Sequence, residues 1–385
     1  MSTRRLVALW LASFALFFSF FLLLSTLPLF LRRLGASDGA IGVIMGSFAI
    51  TSMLLRPWTG WGTDRWGRRP FMLAGATVFV LAPVGYGVSE GMLALVTVRM
   101  LHGAGMALYP TAASALLADV APPARRGEFL GFFGAAGSIA MALGPITGVA
   151  LMARFGFTGL FEASAASALV ALLLTLTVRE TRPVASHAPF TLATTISRPA
   201  LGPSLVILCL MLTYGAQVTF LPLHAERLGV NSGIFFLVYA LVLTVARGPA
   251  GRLSDRFGRR PVAASGLGLA ALALVVLALG EGELGLALSG ALYGLAGGIA
   301  QPALRGRGRR RRSRARHGHV LHRPRAGDRD RRDVLGAGGR ALGIRGHVPG
   351  GGRRRDGRRR PGAGETANAC GQRGVSRCRK STTAR

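Results

Sequence analysis

Ten long apolar runs, separated by short polar intervals, fill the first 304 residues of the chain. They lie at residues 6–31, 41–58, 71–88, 92–118, 129–153, 158–178, 201–223, 234–246, 262–280 and 284–304. A helix needs about 20 apolar residues to cross the hydrocarbon core of a bilayer. In lipid the backbone must also satisfy its own hydrogen bonds, which favours helices. The pattern therefore predicts an all-α membrane protein with ten spans, numbered 1 to 10 in chain order.

Span 1 holds 26 residues without a charged side chain. That is too long for the apolar region of a signal peptide, so we expect it to be retained. A polar interval separates span 6 from span 7. We therefore expect four regions: an N-terminal six-helix bundle over 1–178, a cytoplasmic linker over 179–200, a partial C-terminal bundle of four helices over 201–304, and a non-membrane tail over 305–385.

Arginines are unevenly divided between the two ends of the spans. If the N-terminus is cytoplasmic, fourteen fall in cytoplasmic intervals and four on the opposite side. Cytoplasmic loops carry an excess of positive residues, so this orientation is predicted. The cytoplasmic set is Arg4, Arg5, Arg65, Arg68, Arg69, Arg125, Arg126, Arg179, Arg182, Arg198, Arg252, Arg256, Arg259 and Arg260, and the opposite set is Arg32, Arg33, Arg154 and Arg227.

A charged turn occurs twice, between spans 2 and 3 and between spans 8 and 9. The first copy is GWGTDRWGRRP at 60–70 and the second is GRLSDRFGRRP at 251–261, an offset of 191. Arg56 and Arg247 share this offset, and LPLFLRRLGAS at 27–37 resembles LPLHAERLGVNS at 221–232. Spans 1–4 and 7–10 are therefore two copies of one design. Parallel repeats of this kind build transporters with a substrate site between two bundles, near the midplane.

The spacing G-x-x-x-D-R-x-G-R-R resembles the loop signature of the major facilitator superfamily. RMLHGAG at 99–105 and LADVAPPARRGEFLG at 117–131 resemble that family's fourth helix and the loop after it, and the likeness covers residues 1–304. It implies a two-bundle transporter with ten recognisable helices of an expected twelve. It also implies a gating motif made of Gly60, Asp64, Arg65, Gly67, Arg68, Arg69, Gly251, Asp255, Arg256, Gly258, Arg259 and Arg260.

Physical reasons can be given for the residues of the first turn. We expect Gly60 to let span 2 end against its neighbour and Gly67 to permit a tight turn. Asp64 is expected near the start of span 3, where the helix dipole favours a carboxylate. In the family, the equivalent aspartate also contacts the other bundle and holds one conformation closed. The alternative is that the arginines only anchor the topology, and the second copy of the turn argues against it.

Part of span 5 resembles the motif of proton-coupled exporters. In ALGPITGV at 142–149, Gly144, Pro145 and Gly148 fit that motif, while Val149 stands where a glycine is expected.

Polar residues inside the spans are candidates for the cavity or for proton coupling. Arg99 lies roughly 12 Å down span 4 at about 1.5 Å per residue, and charge at that depth is costly unless it faces a cavity or a partner. His102 lies on the same helix face and can be protonated. Alternatively, Arg99 braces backbone carbonyls and His102 only packs. Tyr214 and Gln217 in span 7 are further candidates, and Glu162 is expected at the interface.

Nothing in the sequence indicates an enzyme, a cofactor or a metal site. The chain has no phosphate loop, no nucleophile with a base and no paired carboxylates. Cys209, expected to be buried and inert, forms no ligand-spaced set with Cys370 and Cys378. Because an ATP-driven pump is thereby disfavoured, coupling to an ion gradient remains. We expect a monomer that interacts with a small molecule, protons and lipid, without nucleic acid.

The tail from Arg305 onward contains 26 of the chain's 47 basic residues and no run long enough to span a membrane. It stands where the repeat predicts spans 11 and 12. It could be a basic tail that binds nucleic acid or anionic lipid, a disordered solvated tail, or a reading-frame error. We favour the frame error, because arginine codons of a GC-rich gene read one base later encode Ala, Val, Gly or Asp.

The sequence thus predicts a multi-pass secondary transporter of the bacterial inner membrane that exports a drug or metabolite in exchange for protons. Uptake of a sugar or metabolite by the same fold is one alternative. An inactive membrane protein with an anion-binding basic tail is another.

Overall fold

A computed structural model describes residues 3–122, 126–180 and 201–305. The regular elements of these residues are ten α-helices, α1 to α10. Their bounds are Thr3–Leu24, Leu27–Arg33, Asp38–Trp66, Arg69–Val88, Met92–Val120, Arg126–Leu176, Leu201–Arg227, Gly233–Phe257, Arg259–Leu279 and Gly282–Arg305. The tail after residue 305 and most of the predicted linker lie outside the described residues.

The predicted spans are helices of membrane length. Among the described residues, nine helical segments are long and apolar enough to cross a bilayer. One of them, Gly127–Leu176, is 50 residues long. It contains Gly156, whose φ of 71° and ψ of −169° interrupt the helix, so α6 accommodates two spans. The prediction of an all-α membrane protein with ten spans is confirmed.

Helix boundaries differ from the predicted ones where charge and proline were misjudged. Span 1 divides into α1 and α2. Pro28 lies in the first turn of α2, and because proline has no backbone N–H it cannot donate the hydrogen bond that would continue α1 into α2. Spans 2 and 8 were predicted to end at 58 and 246, but α3 continues to Trp66 and α8 to Phe257. Arginine is a good helix former, so Arg56 and Arg247 lie inside these helices.

Glycine allows close helix contacts in the first bundle, which comprises α1 to α6. Helix α6 packs against α1 and α4, while α5 packs between α3 and α4. A Cβ atom at Gly148 of α6 would collide with the carbonyl oxygen of Leu22 in α1, and one at Gly103 of α5 would collide with that of Phe48 in α3. Small residues of this kind let membrane helices approach closely and gain packing energy.

The second bundle, α7 to α10, repeats this packing with fewer helices. Helix α10 packs between α8 and α9, as α5 does between α3 and α4. Gly294 and Tyr239 stand 191 residues after Gly103 and Phe48. A Cβ atom at Gly294 would likewise collide with the carbonyl oxygen of Tyr239. The repeat in the sequence is therefore also a repeat of helix contacts.

Three contacts locate the boundary between the bundles. A Cβ atom at Gly42 of α3 would lie 3.7 Å from the Phe220 ring of α7, and one at Gly233 of α8 would collide with the backbone of Ile146 in α6. The Tyr214 hydroxyl of α7 donates to the sulfur of Met141 in α6 at 3.8 Å. Gly42 and Gly233 lie at the starts of their helices. Among the described residues the bundles therefore meet from about the middle of their helices to the end remote from both charged turns.

Candidate functional site

Arg68 joins the ends of two helices at the first charged turn. Its Nη2 atom donates to Asp64 at 2.9 Å and its Nε atom to Asp119 at 3.0 Å. Nη1 donates to the carbonyl oxygen of Thr63. The Arg68 side chain is only 9% exposed, so these ion pairs are screened less than surface pairs are. Because Asp64 ends α3 and Asp119 ends α5, Arg68 fastens those two helix ends together.

Glu180 occupies the N-terminus of α4, although it follows α6 in the chain. Its Oε1 atom accepts from the backbone N–H of Arg68 at 2.9 Å, and Oε2 accepts from that of Arg69 at 2.8 Å. The Arg69 guanidinium donates to the carbonyl oxygen of Leu176 at 3.0 Å. A carboxylate in this place satisfies free N–H groups and complements the helix dipole. Glu180 therefore connects the end of α6 to the start of α4.

The other residues of the first turn depart in part from expectation. Gly67 ends α3 with a φ of 98°, a conformation that glycine adopts readily. Gly60, however, lies inside α3 with open space where a Cβ would stand, so span 2 does not end there. Asp64 lies in the last turn of α3, and the carboxylate at the start of the next helix is Glu180. Arg65 lies over the Trp61 ring at 5.5 Å.

The second charged turn has the same backbone shape. Gly258 joins α8 to α9 with a φ of 86°, matching Gly67. Arg256 lies over the Phe257 ring at 5.3 Å, and Arg260 is exposed. Gly251, Asp255 and Arg259 lie in helices, but the side chains of Asp255 and Arg259 are outside the described part of the chain.

Arg99 and His102 are buried inside the first bundle, with 2% and 0% of their surface exposed. The Arg99 guanidinium lies 4.5 Å from the Phe48 ring centroid. The Tyr86 hydroxyl interacts with Arg99 and lies 3.2 Å from Nδ1 of His102. Nε2 of His102 has no hydrogen-bond partner among the described residues, and the imidazole meets the Phe79 ring edge-on at 4.4 Å. Neither side chain lines an open cavity in this conformation.

Tyr214 and Gln217 lie about one turn apart on α7. Tyr214 is half-buried and reaches Met141 across the boundary. Gln217 is 3% exposed, and within the described chain neither its amide nitrogen nor its amide oxygen has a hydrogen-bond partner. Burial of an amide without hydrogen bonds costs free energy of folding. Packing alone therefore does not explain a glutamine at this position.

The span 5 motif lies where α6 touches both bundles. A Cβ atom at Gly144 would collide with α1, as one at Gly148 would, and Ser25 donates to the carbonyl oxygen of Pro145 at 3.3 Å. Ile146, between Pro145 and Gly148, meets Gly233 of the second bundle.

Two lesser expectations have different outcomes. Glu162 is exposed in the middle of α6, six residues after the break at Gly156, where the predicted orientation would put the outer interface. Cys209 is exposed, so the expectation of a buried thiol is wrong. The reason is that no described helix covers that face of α7. Cys370 and Cys378 lie outside the described residues.

The family model described as Major Facilitator Superfamily matches residues 9–320, most of the chain. The chain belongs to this superfamily. Multidrug resistance protein MdtG from Escherichia coli O9:H4 (strain HS) is 26% identical over 324 residues, which cover 78% of each chain. The family consists of transporters, so at the family level this chain is a multi-pass membrane transporter of small molecules and not an enzyme.

Solved structures of the superfamily show the same fold. An inward-facing, unoccupied bacterial homolog of the human lysosomal transporter Spinster superposes with a TM-score of 0.65 at 18% identity, covering 79% of this chain and 75% of that one. The nucleoside transporter NupG superposes with a TM-score of 0.64 at 16% identity, covering 78% and 81%.

Three residues of the site were missed from the sequence. Glu180 is a lone acid just after span 6, and only its position before a family-like linker could have drawn attention to it. Tyr239 and Tyr293, which lie against Tyr214, stand 191 residues after Phe48 and His102. Extending the repeat into the spans would have found both.

Proposed function

We propose that the chain exports a small molecule across the bacterial inner membrane in exchange for protons, as a monomer with a cytoplasmic N-terminus. The supporting observation is the distribution of contacts at the two ends of the bundles. At the charged turn, Arg68 and Glu180 tie four helix ends of the first bundle together. The bundles meet at the other end. A rigid bundle that contacts its partner at one end is suited to rocking about a midplane site.

Export as the direction has two supports. The relative named for multidrug resistance covers most of the chain. The motif of Gly144, Pro145 and Gly148 lies on the bundle boundary, where it can control closure of the outer end. The predicted orientation makes the observed conformation inward-facing, ready to load substrate from the cytoplasm.

Proton coupling is assigned to His102. Imidazole is the side chain that ordinarily changes charge near neutral pH. Tyr86 links His102 to Arg99, so a proton gained or lost at the imidazole changes the charge beside a buried guanidinium. Such a change favours one bundle arrangement over the other. Replacement of His102 by Asn should uncouple transport from the pH gradient while sparing exchange of substrate across the membrane.

Accumulation of toxic compounds in cells tests the proposal. Cells that lack their own exporters would express the chain with spans 11 and 12 supplied by the restored reading frame, and would be exposed to anionic, neutral and cationic compounds. Export lowers the intracellular level of at least one compound, an uncoupler abolishes that effect, and Asp64→Asn reduces it. A higher intracellular level would identify uptake instead. Unchanged levels of every compound, with the protein present in the membrane, would contradict transport by this chain.

A further inference from the structure

A cavity of about 290 Å³ lies between the C-terminal halves of α8 and α10. Apolar side chains form most of its wall, among them Pro249, Leu253 and Ile299. Two arginines, Arg252 and Arg256, line it as well, and both are exposed. This volume is close to the lower limit of ligand pockets, about 300 Å³. The cavity therefore suits part of an extended molecule.

The cavity crosses the level at which the hydrocarbon of a bilayer gives way to headgroups. The hydrocarbon core is about 30 Å thick, and α8 begins at Gly233, at the end opposite the charged turn. Arg252 and Arg256 lie roughly 28 and 34 Å along the helix from there, at about 1.5 Å per residue. Ala246, which lines the cavity too, lies roughly 20 Å along. The apolar wall is thus at the depth of acyl chains and the arginines are at the depth of headgroups.

The equivalent groove of the first bundle carries large rings instead. Pro249 stands 191 residues after Trp58, and Arg252 stands the same distance after Trp61. The Trp58 and Trp61 rings pack on the Trp66 ring, with centroid distances of 6.1 and 5.1 Å. Proline supplies no such ring. The second bundle therefore has a cavity and an added cation where the first bundle has an aromatic cluster.

The first charged turn balances its arginines, whereas the second does not. Around the three arginines of the first turn lie three carboxylates, those of Asp64, Asp119 and Glu180. From Arg252 to Arg260 the second turn has four arginines and one aspartate, which leaves an excess of three positive charges. Clustered arginines at the membrane surface attract anionic lipid headgroups.

Arg252 and Arg256 are the part of this excess that lines the cavity. Within the described part of the chain, neither guanidinium is paired with a carboxylate. In the first turn the aspartate pairs with Arg68, which corresponds to Arg259 and not to an arginine of the cavity. Arg256 lies over the Phe257 ring at 5.3 Å, a contact that leaves its N–H groups able to donate. Because Arg252 and Arg256 are four residues apart, they share a face of α8 and can bind one anion together.

Other segments of the chain are poorer occupants of the cavity. The tail from Arg305 onward has 26 basic residues and 5 acidic ones, so like charge repels it from Arg252 and Arg256. Two added spans would lie on α7 and α9, by analogy with α6, which packs on α1 and α4 rather than on α3. An amphiphilic anion of the membrane matches both the apolar wall and the arginines.

We propose that the cavity between α8 and α10 binds an anionic phospholipid. One acyl chain enters the apolar part beside Pro249 and Ile299, and the phosphate lies against Arg252 and Arg256. Arginine suits this role because its planar guanidinium donates to phosphate oxygens in pairs. The site lies at the charged-turn end of the second bundle, so it is separate from the midplane site of the proposed function and does not depend on the transported compound.

Site-specific photo-cross-linking of the full chain in lipid nanodiscs tests the proposal. The nanodiscs contain equal amounts of phosphatidylglycerol and phosphatidylcholine with identical acyl chains. p-Benzoylphenylalanine replaces Phe257, which lines the cavity and is 58% exposed, or its first-bundle counterpart Trp66, which is 52% exposed. Mass spectrometry gives the ratio of the two lipids in the cross-linked product. Phosphatidylglycerol should be enriched roughly fivefold or more over the bulk ratio at position 257, but not at position 66.

Substitutions on the cavity wall separate the charge from the apolar space. Arg252→Gln combined with Arg256→Gln should return the ratio at position 257 to that of the bulk. Ile299→Phe narrows the cavity without altering charge and should lower the total lipid cross-linked there. Arg65→Gln is the matched control, because Arg65 is the counterpart of Arg256 and lies over Trp61. It should change neither quantity, and size-exclusion profiles identify any variant that fails to fold.

Three results would overturn the proposal. The first is a bulk lipid ratio at position 257, or an equal enrichment at positions 66 and 257. The second is an enrichment that persists without the two cavity arginines. The third is a cross-link from position 257 to the chain itself, in this form or in one with two added spans, since a protein segment would then occupy the cavity.

Discussion

Helices α1 and α7 occupy equivalent places in the two bundles but differ in how well they are covered. The most apolar window of the segment containing α1 is 44% buried, whereas that of α7 is 22% buried. The same holds for α4 and α9, at 44% and 28%. The trend reverses for α3 and α8, at 28% and 44%. In the second bundle α8 is therefore well covered by its neighbours, whereas α7 and α9 are largely exposed.

The difference shows what α6 contributes. In the first bundle, α6 packs on α1 and α4, and these are the helices whose counterparts lose burial. No described helix takes the part of α6 in the second bundle. Its absence exposes a stripe of leucines on one face of α7, at 201, 205, 208 and 212. Lipid tails are as apolar as leucine, so contact with lipid alone does not hold α7 to its neighbours. This face of α7 needs another helix packed against it to contribute to stability.

The largest effect is expected from supplying that partner. We predict that the gene, read one base later after Ala303, encodes two more apolar spans and a second D-x-x-P-x-x-R-G-like loop. These spans should pack on α7 and α9 and raise the thermal unfolding midpoint by roughly 10 °C, at about 2–4 °C per kcal/mol. The 385-residue form should then be unstable or inactive by comparison.

DNA sequencing around codon 303, with purification of both forms, checks this prediction. Confirmation of the present frame, together with transport by the 385-residue form in vesicles, would refute both the frame error and the need for two further spans.

Arg99 has no charged counterpart, since Gly290 stands at its place in the second bundle. Arg99→Ala should therefore abolish transport in a form with both added spans, because it removes the charge over Phe48 and beside Tyr86. Arg99→Lys should retain only a small part of it, since lysine lacks the planar guanidinium fork. Full transport by Arg99→Ala, measured as initial rate per amount of protein, would show that Arg99 only braces the bundle.

Asp64 is expected to matter for turnover more than for folding. Its carboxylate is 55% exposed and free to exchange partners, while Arg68 retains Asp119 when Asp64 is neutralised. Asp64→Asn should lower transport on the order of tenfold, equivalent to 1.4 kcal/mol, with abundance nearly unchanged. Asp38→Asn is the control, because Asp38 pairs with Arg32 at the other end of α3. Parallel losses of protein and transport would instead indicate a structural role.

Glu180 has no described equivalent at the start of α9, so its removal should make the first bundle more like the second. Glu180→Ala leaves two backbone N–H groups of α4 without acceptors, at a cost of roughly 1–3 kcal/mol. Thermal unfolding and hydrogen exchange in the first turn of α4 measure this loss. Glu162→Ala removes an exposed carboxylate from the same bundle and should change neither quantity. Unaltered exchange in Glu180→Ala would contradict the capping role.

The sequence predicted the existence of the helices well and their contacts poorly. Ten apolar runs are sufficient to place ten spans, because lipid leaves the backbone no other choice. Span 8 was predicted to end just before Arg247, since a charge looks like a boundary, but α8 continues to Phe257. Glu180 lies 112 residues from Arg68 in the chain, so no local pattern reveals their hydrogen bond. Tyr214, Tyr239 and Tyr293 correspond to Phe20, Phe48 and His102 only at two different repeat offsets, 194 and 191, which a search at one offset misses.

Single-cysteine labelling, which should perturb the protein least, tests the orientation of the chain in the membrane. The assignment of one end of the bundles to the cytoplasm depends on that orientation. A single cysteine at Ser186, in a variant without the native cysteines, should resist impermeant maleimide added to intact cells. The reason is the arginine bias, from which we predict that the interval after span 6 lies in the cytoplasm. A second cysteine variant at Leu34 should react under the same conditions. Labelling of the cysteine at position 186 from outside the cell would show that the predicted topology is inverted.

Pulsed electron paramagnetic resonance distances between the bundles test the central claim of alternating access most directly. Two label pairs occupy equivalent, exposed positions: Trp66 with Phe257 at the charged turns, and Leu34 with Leu228 at the opposite end. On titration of pH, the first pair should shorten while the second lengthens. Distances that stay fixed in both pairs, or that change in the same direction, would contradict rocking of two rigid bundles.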